Sequence, residues 1–496
     1  MSLRSQVVKG IIYTSSLKVF SVLVAQISAI FIAILILPRD FGLYSIAALF
    51  VGLFLELFDF GFGSAVIHEG SENSDTVLTG AALQIAGGVF GTVVLLAVGP
   101  WIGGFYGDPQ LPQVLSLLVL TILLSSLGFL PAIQLRSKLE FRILAKVSVI
   151  SSLLSSTVAV TLALVHFGIW ALVGGAVAGS ASNLIALYLV YPWKPRFVFD
   201  RGTARKLFRY SKYVFASNLM VFLVFNIDNA VIGKVLGLDQ LGYYVLAFSW
   251  GGLAADTMGR LVNQVMFPAL VSIRDNRERL LRAYRESLRY LVYVSVPVYV
   301  ILLVTAEDFV TIVLGGGGPK WLPAVPTLRV LCGLGLLRSL IEPLSVLLMA
   351  TGNVRVLTKL GAVQLGLLSL VIYPGIALGG ILGSSVVVTG VYLVSSVLAV
   401  VWASRVTALS HSDLTRPFWP GLAPGLPTLG VLALISTVNR GLEPLGKLGT
   451  EVFAGLATYF LVAMALSRGN LWRDLRTNLA MFLEPESSGN HSDRSR

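Results

Sequence analysis

Phe41-Gly42-Leu43-Tyr44-Ser45-Ile46-Ala47 returns 200 residues later as Leu241-Gly242-Tyr243-Tyr244-Val245-Leu246-Ala247. Upstream, Leu17-x-Val19-Phe20 pairs with Leu219-x-Val221-Phe222. Downstream, Arg142-Ile143-Leu144-Ala145-Lys146-Val147 returns as Arg355-Val356-Leu357-Thr358-Lys359-Leu360. Blocks recurring in the same order mark an internal duplication. The surrounding composition says what is duplicated. Of 496 residues, 55% are hydrophobic and only 12% charged, and the mean hydropathy is +0.82. A soluble domain carries about 25% charged residues, and this chain has too few to cover a surface of its size. The sequence is that of an all-α polytopic membrane protein.

Fourteen apolar runs approach the roughly 20 residues needed to cross the hydrocarbon. They lie near 11–37, 42–66, 77–100, 112–135, 143–166, 168–191, 210–236, 241–270, 290–306, 326–350, 355–377, 381–403, 421–438 and 449–466. The repeats fall on equivalent spans, so spans 1–6 and 7–12 read as two copies of one six-helix unit. Six is even, and both copies therefore enter from the same side. They are expected to be related by a pseudo-two-fold axis along the membrane normal, the arrangement of rocking transporters. The expected domains are an N-terminal lobe (1–200), a C-terminal lobe (201–405), an extra helix pair (406–466), and an amphipathic helix with a polar tail (467–496). In that last segment Leu471, Trp472, Leu475 and Leu479 oppose Arg473 and Arg476.

With the N-terminus inside, the inner segments hold 28 of the 37 Lys and Arg residues and the outer segments five. This positive-inside bias predicts cytoplasmic termini in a cytoplasmic (inner) membrane. The net charge of +12 is thus spent on topology and lipid headgroups, and a nucleic-acid partner is rejected. The single Cys332 and four scattered His exclude a disulfide framework and a multi-cysteine metal site. Gly441-x4-Gly446-Lys447 is followed by Leu448, where a phosphate loop needs Ser or Thr, so no nucleotide site is read there. No loop is long enough for a soluble catalytic domain, and an enzyme is not expected.

Ionisable groups inside spans cost at least ~2.5–3.5 kcal/mol on insertion scales and need water or a partner. Span 1 carries Thr14, Lys18, Ser21 and Ser28 on one stripe, and span 2 carries Gly52, Glu56, Asp59 and Gly63. Span 7 carries Asn226, Asn229 and Gly233 beside Asp228. Span 8 carries Ser249, Gly252, Asp256, Arg260 and Asn263, and span 10 carries Gly335, Arg338, Glu342 and Ser345. Five such stripes suggest a wet cavity between the lobes near the midplane. The same residues also allow a plainer reading. Asp256–Arg260 and Arg338–Glu342 can pair within their own helices, small residues allow close packing, and Lys18 can snorkel.

Asn226-Ile227-Asp228-Asn229-Ala230-Val231-Ile232-Gly233-Lys234, followed by the second repeat block, resembles the second-half signature of polysaccharide flippases. These are the O-antigen and colanic-acid type members of the multidrug/oligosaccharidyl-lipid/polysaccharide exporter superfamily. Phe267-Pro268-Ala269-Leu270, Lys320-Trp321-x-x-Ala324-Val325-Pro326, Gly352-Asn353-x-Arg355 and Phe58-Asp59-Phe60-Gly61-Phe62-Gly63 fit the same pattern. The resemblance covers about 1–405 and implies alternating-access transport of an oligosaccharide on polyprenyl pyrophosphate, for polysaccharide export. Basic cavity groups would then hold the pyrophosphate, with Lys18, Arg260 and Arg338 as candidates. Glu56, Asp59, Asp228, Asp256 and Glu342 would line the cavity or carry a coupling sodium ion or proton, with no other cofactor. Implied partners are the lipid-linked oligosaccharide, membrane lipids, and a polymerase or other assembly proteins. A cation-coupled drug antiporter and a membrane enzyme polymerising lipid-linked sugars are the alternatives.

Overall fold

The computed structural model describes residues 3–70, 74–192, 198–407, 409–438 and 443–466, without the side chains of 3–16, 74, 260–265 and 268. The expected amphipathic helix and tail, the Arg260 side chain, and Gly441 lie outside the described residues. Within them the chain is helical and holds no strand. Eleven helices are long and apolar enough to cross a membrane, twelve counting one bent pair. Desolvated backbone forces this choice, because every N–H and C=O in hydrocarbon must bond within its own segment.

The first half begins with α1 (Leu3–Leu35), α2 (Pro38–Asp59), α3 (Phe62–Gly70) and α4 (Ser74–Tyr106). It continues through α5 (Leu111–Leu118), α6 (Leu120–Leu127), α7 (Phe129–Ser137), α8 (Phe141–Leu164) and α9 (Ile169–Val190). Phe60 and Gly61 adopt positive φ, 50° and 72°, which separates α2 from α3. The expected straight span at 112–135 is instead broken into α5, α6 and α7, and the segments on either side of Gly128 bend by 41°.

The second half repeats the opening. It runs α10 (Arg201–Val235), α11 (Leu238–Ser272), α12 (Arg277–Asp308), α13 (Val325–Ala350) and α14 (Val354–Thr407). Asp200 caps α10 by accepting from the Thr203 N–H at 2.6 Å. α11 is long but too polar to count among the eleven, in keeping with its Asp256, Arg260 and Asn263. α12 starts at Arg277, so the Arg-rich stretch expected as a loop before 290 is helical. α14 has 54 residues. Straight, it would measure about 80 Å, far more than a bilayer. Gly380, at φ 59° and ψ −141°, divides it into two limbs at the break expected between spans 11 and 12. Only glycine occupies that region without strain. The short α15 (His411–Thr415) and α16 (Trp419–Leu422) lead to α17 (Gly425–Val438) and α18 (Pro444–Leu466), which pack on α12.

Candidate functional site

α2 and α11, the two copies of the opening repeat, cross in direct backbone contact. A Cβ at Gly42 would overlap the Leu238 carbonyl oxygen, and a Cβ at Gly242 would overlap that of Pro38. Moving each residue of the first contact 200 positions to its counterpart in the other copy, Gly42 to Gly242 and Leu238 to Pro38, yields the second contact. Such reciprocity is the mark of an isologous, two-fold contact. Two further links join the halves at this end of the bundle. Lys320, in the turn before α13, donates to the Ile34 and Ile36 carbonyls at 2.8 and 2.9 Å, and Trp321 Nε1 donates to the Ala33 carbonyl at 2.9 Å. These are carbonyls at the C-terminal end of α1, which lack helical partners. On the other side Lys234 donates to the Phe105 carbonyl at 2.5 Å, and the Tyr106 hydroxyl to that of Ala230 at 3.2 Å. Trp321 is fully buried, edge-on to both Phe41 and Tyr243. The repeat and the Lys320-Trp321 motif thus meet in a single seam, which sequence reasoning had marked as a pattern without a role.

The signature around Asp228 is structural in the same way. Asp228 is buried and accepts from the Tyr244 hydroxyl at 2.6 Å and the Asn229 N–H at 2.8 Å, which ties α10 to α11. At the opposite end of α2, Glu56 accepts a hydrogen bond from Asn218 of α10, and Asp59 one from Gln84 of α4 with Arg136 nearby. Phe60 stacks flat on Phe215 at 4.5 Å between centroids.

A cavity of about 250 Å³ opens among α10, α13 and both limbs of α14. Its lining includes Phe225, Arg338, Glu342, Gln364, Tyr392 and Ser395, all from the second half. This cavity draws on the second half alone and does not itself bring the polar stripes of the two lobes together. Arg338 pairs with Asp256 on the neighbouring α11, rather than finding its ion pair within its own helix, and lies over the Phe225 ring. Its Nη1, Gln364 Nε2 and Ser395 Oγ are buried without a partner. Glu56, Asp59, Asp228 and Lys18 do not line this cavity. Lys18 is exposed on α1. The stripe serines Ser21, Ser249 and Ser345 are satisfied by carbonyls of their own helices. Gln364 and Ser395 escaped the sequence reading because neutral hydroxyl and amide groups inside a span commonly bond their own helix.

Breaking the Arg338–Asp256 pair from one side leaves a partly buried charge uncompensated. Asp256→Asn is therefore expected to reduce the yield of folded protein more than Asp256→Asn with Arg338→Gln. Size-exclusion profiles of the two variants check this. Equal loss in both would mean the pair is not coupled.

Proteins of known name share this architecture. The chain is 29% identical to the teichuronic acid biosynthesis protein TuaB of Bacillus subtilis, over 82% of this chain and 85% of that one. It is 25% identical to the lipopolysaccharide biosynthesis protein WzxC of Escherichia coli, over 94% and 95%. Among solved structures, a lipid II flippase MurJ in an inward closed conformation matches 94% of this chain and 99% of that chain, with a TM-score of 0.76 at 15% identity. An inward-facing multidrug resistance MATE transporter of the MOP superfamily matches 79% and 95%, with a TM-score of 0.64 at 13% identity. The structural likenesses establish that this chain shares their fold. The model of the polysaccharide biosynthesis protein family matches residues 31–326, more than half of the chain, and the protein belongs to that family.

Proposed function

We propose that this protein is a flippase that carries a polyprenyl-pyrophosphate-linked oligosaccharide across the cytoplasmic membrane by alternating access. The observation that carries the reading is a polar, charged chamber set among membrane-scale helices, with Arg338 presenting an unused donor to it. A sugar–pyrophosphate head cannot enter hydrocarbon unaided, and such a chamber shields it while the isoprenoid tail stays in lipid. The names of TuaB, WzxC and the succinoglycan transport protein ExoT of Rhizobium meliloti point to the same class of cargo.

In this reading, fourteen spans form two six-helix lobes and a C-terminal pair, with both termini cytoplasmic. The reciprocal Gly42 and Gly242 contacts support the two-fold, and the Lys and Arg bias sets the α1–α2 turn at the outer face. Lys18 and Arg260 supply positive charge for the pyrophosphate. Arg338, already neutralised by Asp256, adds a hydrogen bond rather than net charge. Glu56 and Asp59 are the carboxylates assigned to a coupling sodium ion or proton. A polymerase and other assembly proteins take up the delivered oligosaccharide.

Deleting the gene is expected to trap lipid-linked oligosaccharide in the inner leaflet, read by its protection from an externally added glycosidase. Full access of the enzyme to that lipid in the deletion strain would overturn the reading.

A further inference from the structure

We propose that the cavity among α10, α13 and α14 seats one neutral, hydroxyl-rich sugar ring of the lipid-linked glycan. This rests on the flippase reading and assigns the chamber to the sugar rather than to the pyrophosphate. Charge decides first. Arg338 is already neutralised by Asp256, so it brings no net positive charge with which to hold a pyrophosphate. A bare cation fares no better. Two of the three unpartnered atoms, Arg338 Nη1 and Gln364 Nε2, are obligate donors, and a cation would face their hydrogens. Among the described residues no three His, Cys, Asp or Glu side chains are grouped to hold a metal.

What satisfies two donors and a serine hydroxyl without adding charge is a set of hydroxyl oxygens. The apolar remainder of the wall fits the same ligand. Phe225, Tyr392, Met220 and Val224 present faces against which the C–H side of a pyranose packs. The volume, about 250 Å³, equals about eight liquid waters at roughly 30 Å³ each, which accommodates a single ring. The pocket is therefore a specificity determinant, reading hydroxyls near the pyrophosphate.

The test uses the full chain in nanodiscs and synthetic farnesyl pyrophosphates, bare or carrying one glucose, galactose or N-acetylglucosamine. At least one sugar-bearing probe is expected to bind about tenfold more tightly than the bare lipid, the worth of one or two hydrogen bonds. Gln364→Leu and Ser395→Ala should each bring that ratio towards one while leaving affinity for the bare lipid unchanged. The unchanged bare affinity shows that the variants are folded. Variants that keep the full ratio would show a pocket filled with water, and variants that weaken both lipids alike would return the site to the pyrophosphate. Either result overturns the proposal and leaves the flippase reading standing. Wild-type protein that binds neither lipid removes the flippase reading, and this proposal with it.

Discussion

Gly42→Ala is expected to remove transport and to lower the amount of folded protein, although it adds only one methyl group. The new Cβ would sit inside the van der Waals radius of the Leu238 carbonyl oxygen, and the obstacle is backbone, which cannot rotate aside. α2 and α11 must separate to accept it, and separation undoes the packing around Leu43, Ile46, Leu241 and Tyr244, all completely buried. Overpacking of this kind costs about 1–3 kcal/mol, or more where the neighbours cannot move. Gly242→Ala meets the Pro38 carbonyl in the mirror-related way and is expected to act alike. Because the two glycines form one joint, the double variant should lose less than the sum of the singles. Gly99→Ala is the control, since nothing lies within 4 Å of its added carbon. It should transport normally and melt no lower, glycine being the poorer helix former. Yield after detergent extraction and uptake of a labelled lipid-linked oligosaccharide measure both effects. Full activity in Gly42→Ala would show that the crossing is looser than the contact implies.

That joint was visible in the sequence as a repeat, and the composition revealed the membrane class. What the repeat could not convey was contact. Gly42 and Gly242 were read as the start of two spans, whereas the same pattern, folded twice, places each against the residue four positions before the other. The charged residues show the same limit. The i,i+4 spacing of Arg338 and Glu342 suggested a pair within one helix, but Arg338 reaches Asp256 on α11. Spacing reports the face of a helix, and only the packing angle reports which neighbour that face meets. Asp228 was placed with the cavity residues because it is a carboxylate inside a span. Its hydrogen bond to Tyr244 joins the two parts of one signature, and it lies outside the chamber wall. Gln364 and Ser395 left no trace because a neutral polar residue in a span is indistinguishable, in sequence, from one that bonds its own helix. Broken helices were missed for a further reason: no proline announces the positive φ at Phe60, and Pro131, which cannot donate to the Leu127 carbonyl, was read as part of one straight span although the helix bends at Gly128.

Removing the Trp321 ring is expected to free the end of the bundle at the α1–α2 turn, the outer end in the proposed topology, with a larger effect than any change within the chamber. Trp321 is the largest fully buried side chain. It packs edge-on at 5.3 Å from Phe41 and 6.0 Å from Tyr243, one aromatic from each copy of the repeat. Its indole N–H and the Lys320 ammonium together occupy three carbonyls at the end of α1. A cation at a helix C-terminus adds about 0.3–1 kcal/mol when exposed and up to about 2 when partly buried, and Trp→Ala in a packed core costs about 3–5. The Phe41 contact and the bonds to the α1 carbonyls bridge the first and second halves, so they stabilise the state in which this end is shut. Alternating access requires them to break and re-form in each cycle. A ligand or mutation shifts such an equilibrium only through the difference it makes between the two states, and here the whole contact is lost on opening. Trp321→Ala and Lys320→Met should therefore raise the open population on the order of tenfold or more. The protein offers a clean reporter, because its single cysteine, Cys332, is buried and can be replaced by serine. In that background Ala33→Cys is shielded at this seam, where Ala33 is fully buried in the cluster that holds Trp321. Labelling by a membrane-impermeant maleimide from outside should be slow in the parent, at least tenfold faster with Trp321→Ala, and intermediate with Lys320→Met. Lys320→Arg, which keeps the positive charge and the donors, should stay near the parent. Transport falls in the fast-labelling variants, since an end that no longer shuts cannot hold the cargo against backflow. Unchanged labelling in Trp321→Ala would mean that the seam is static and that the lobes open elsewhere.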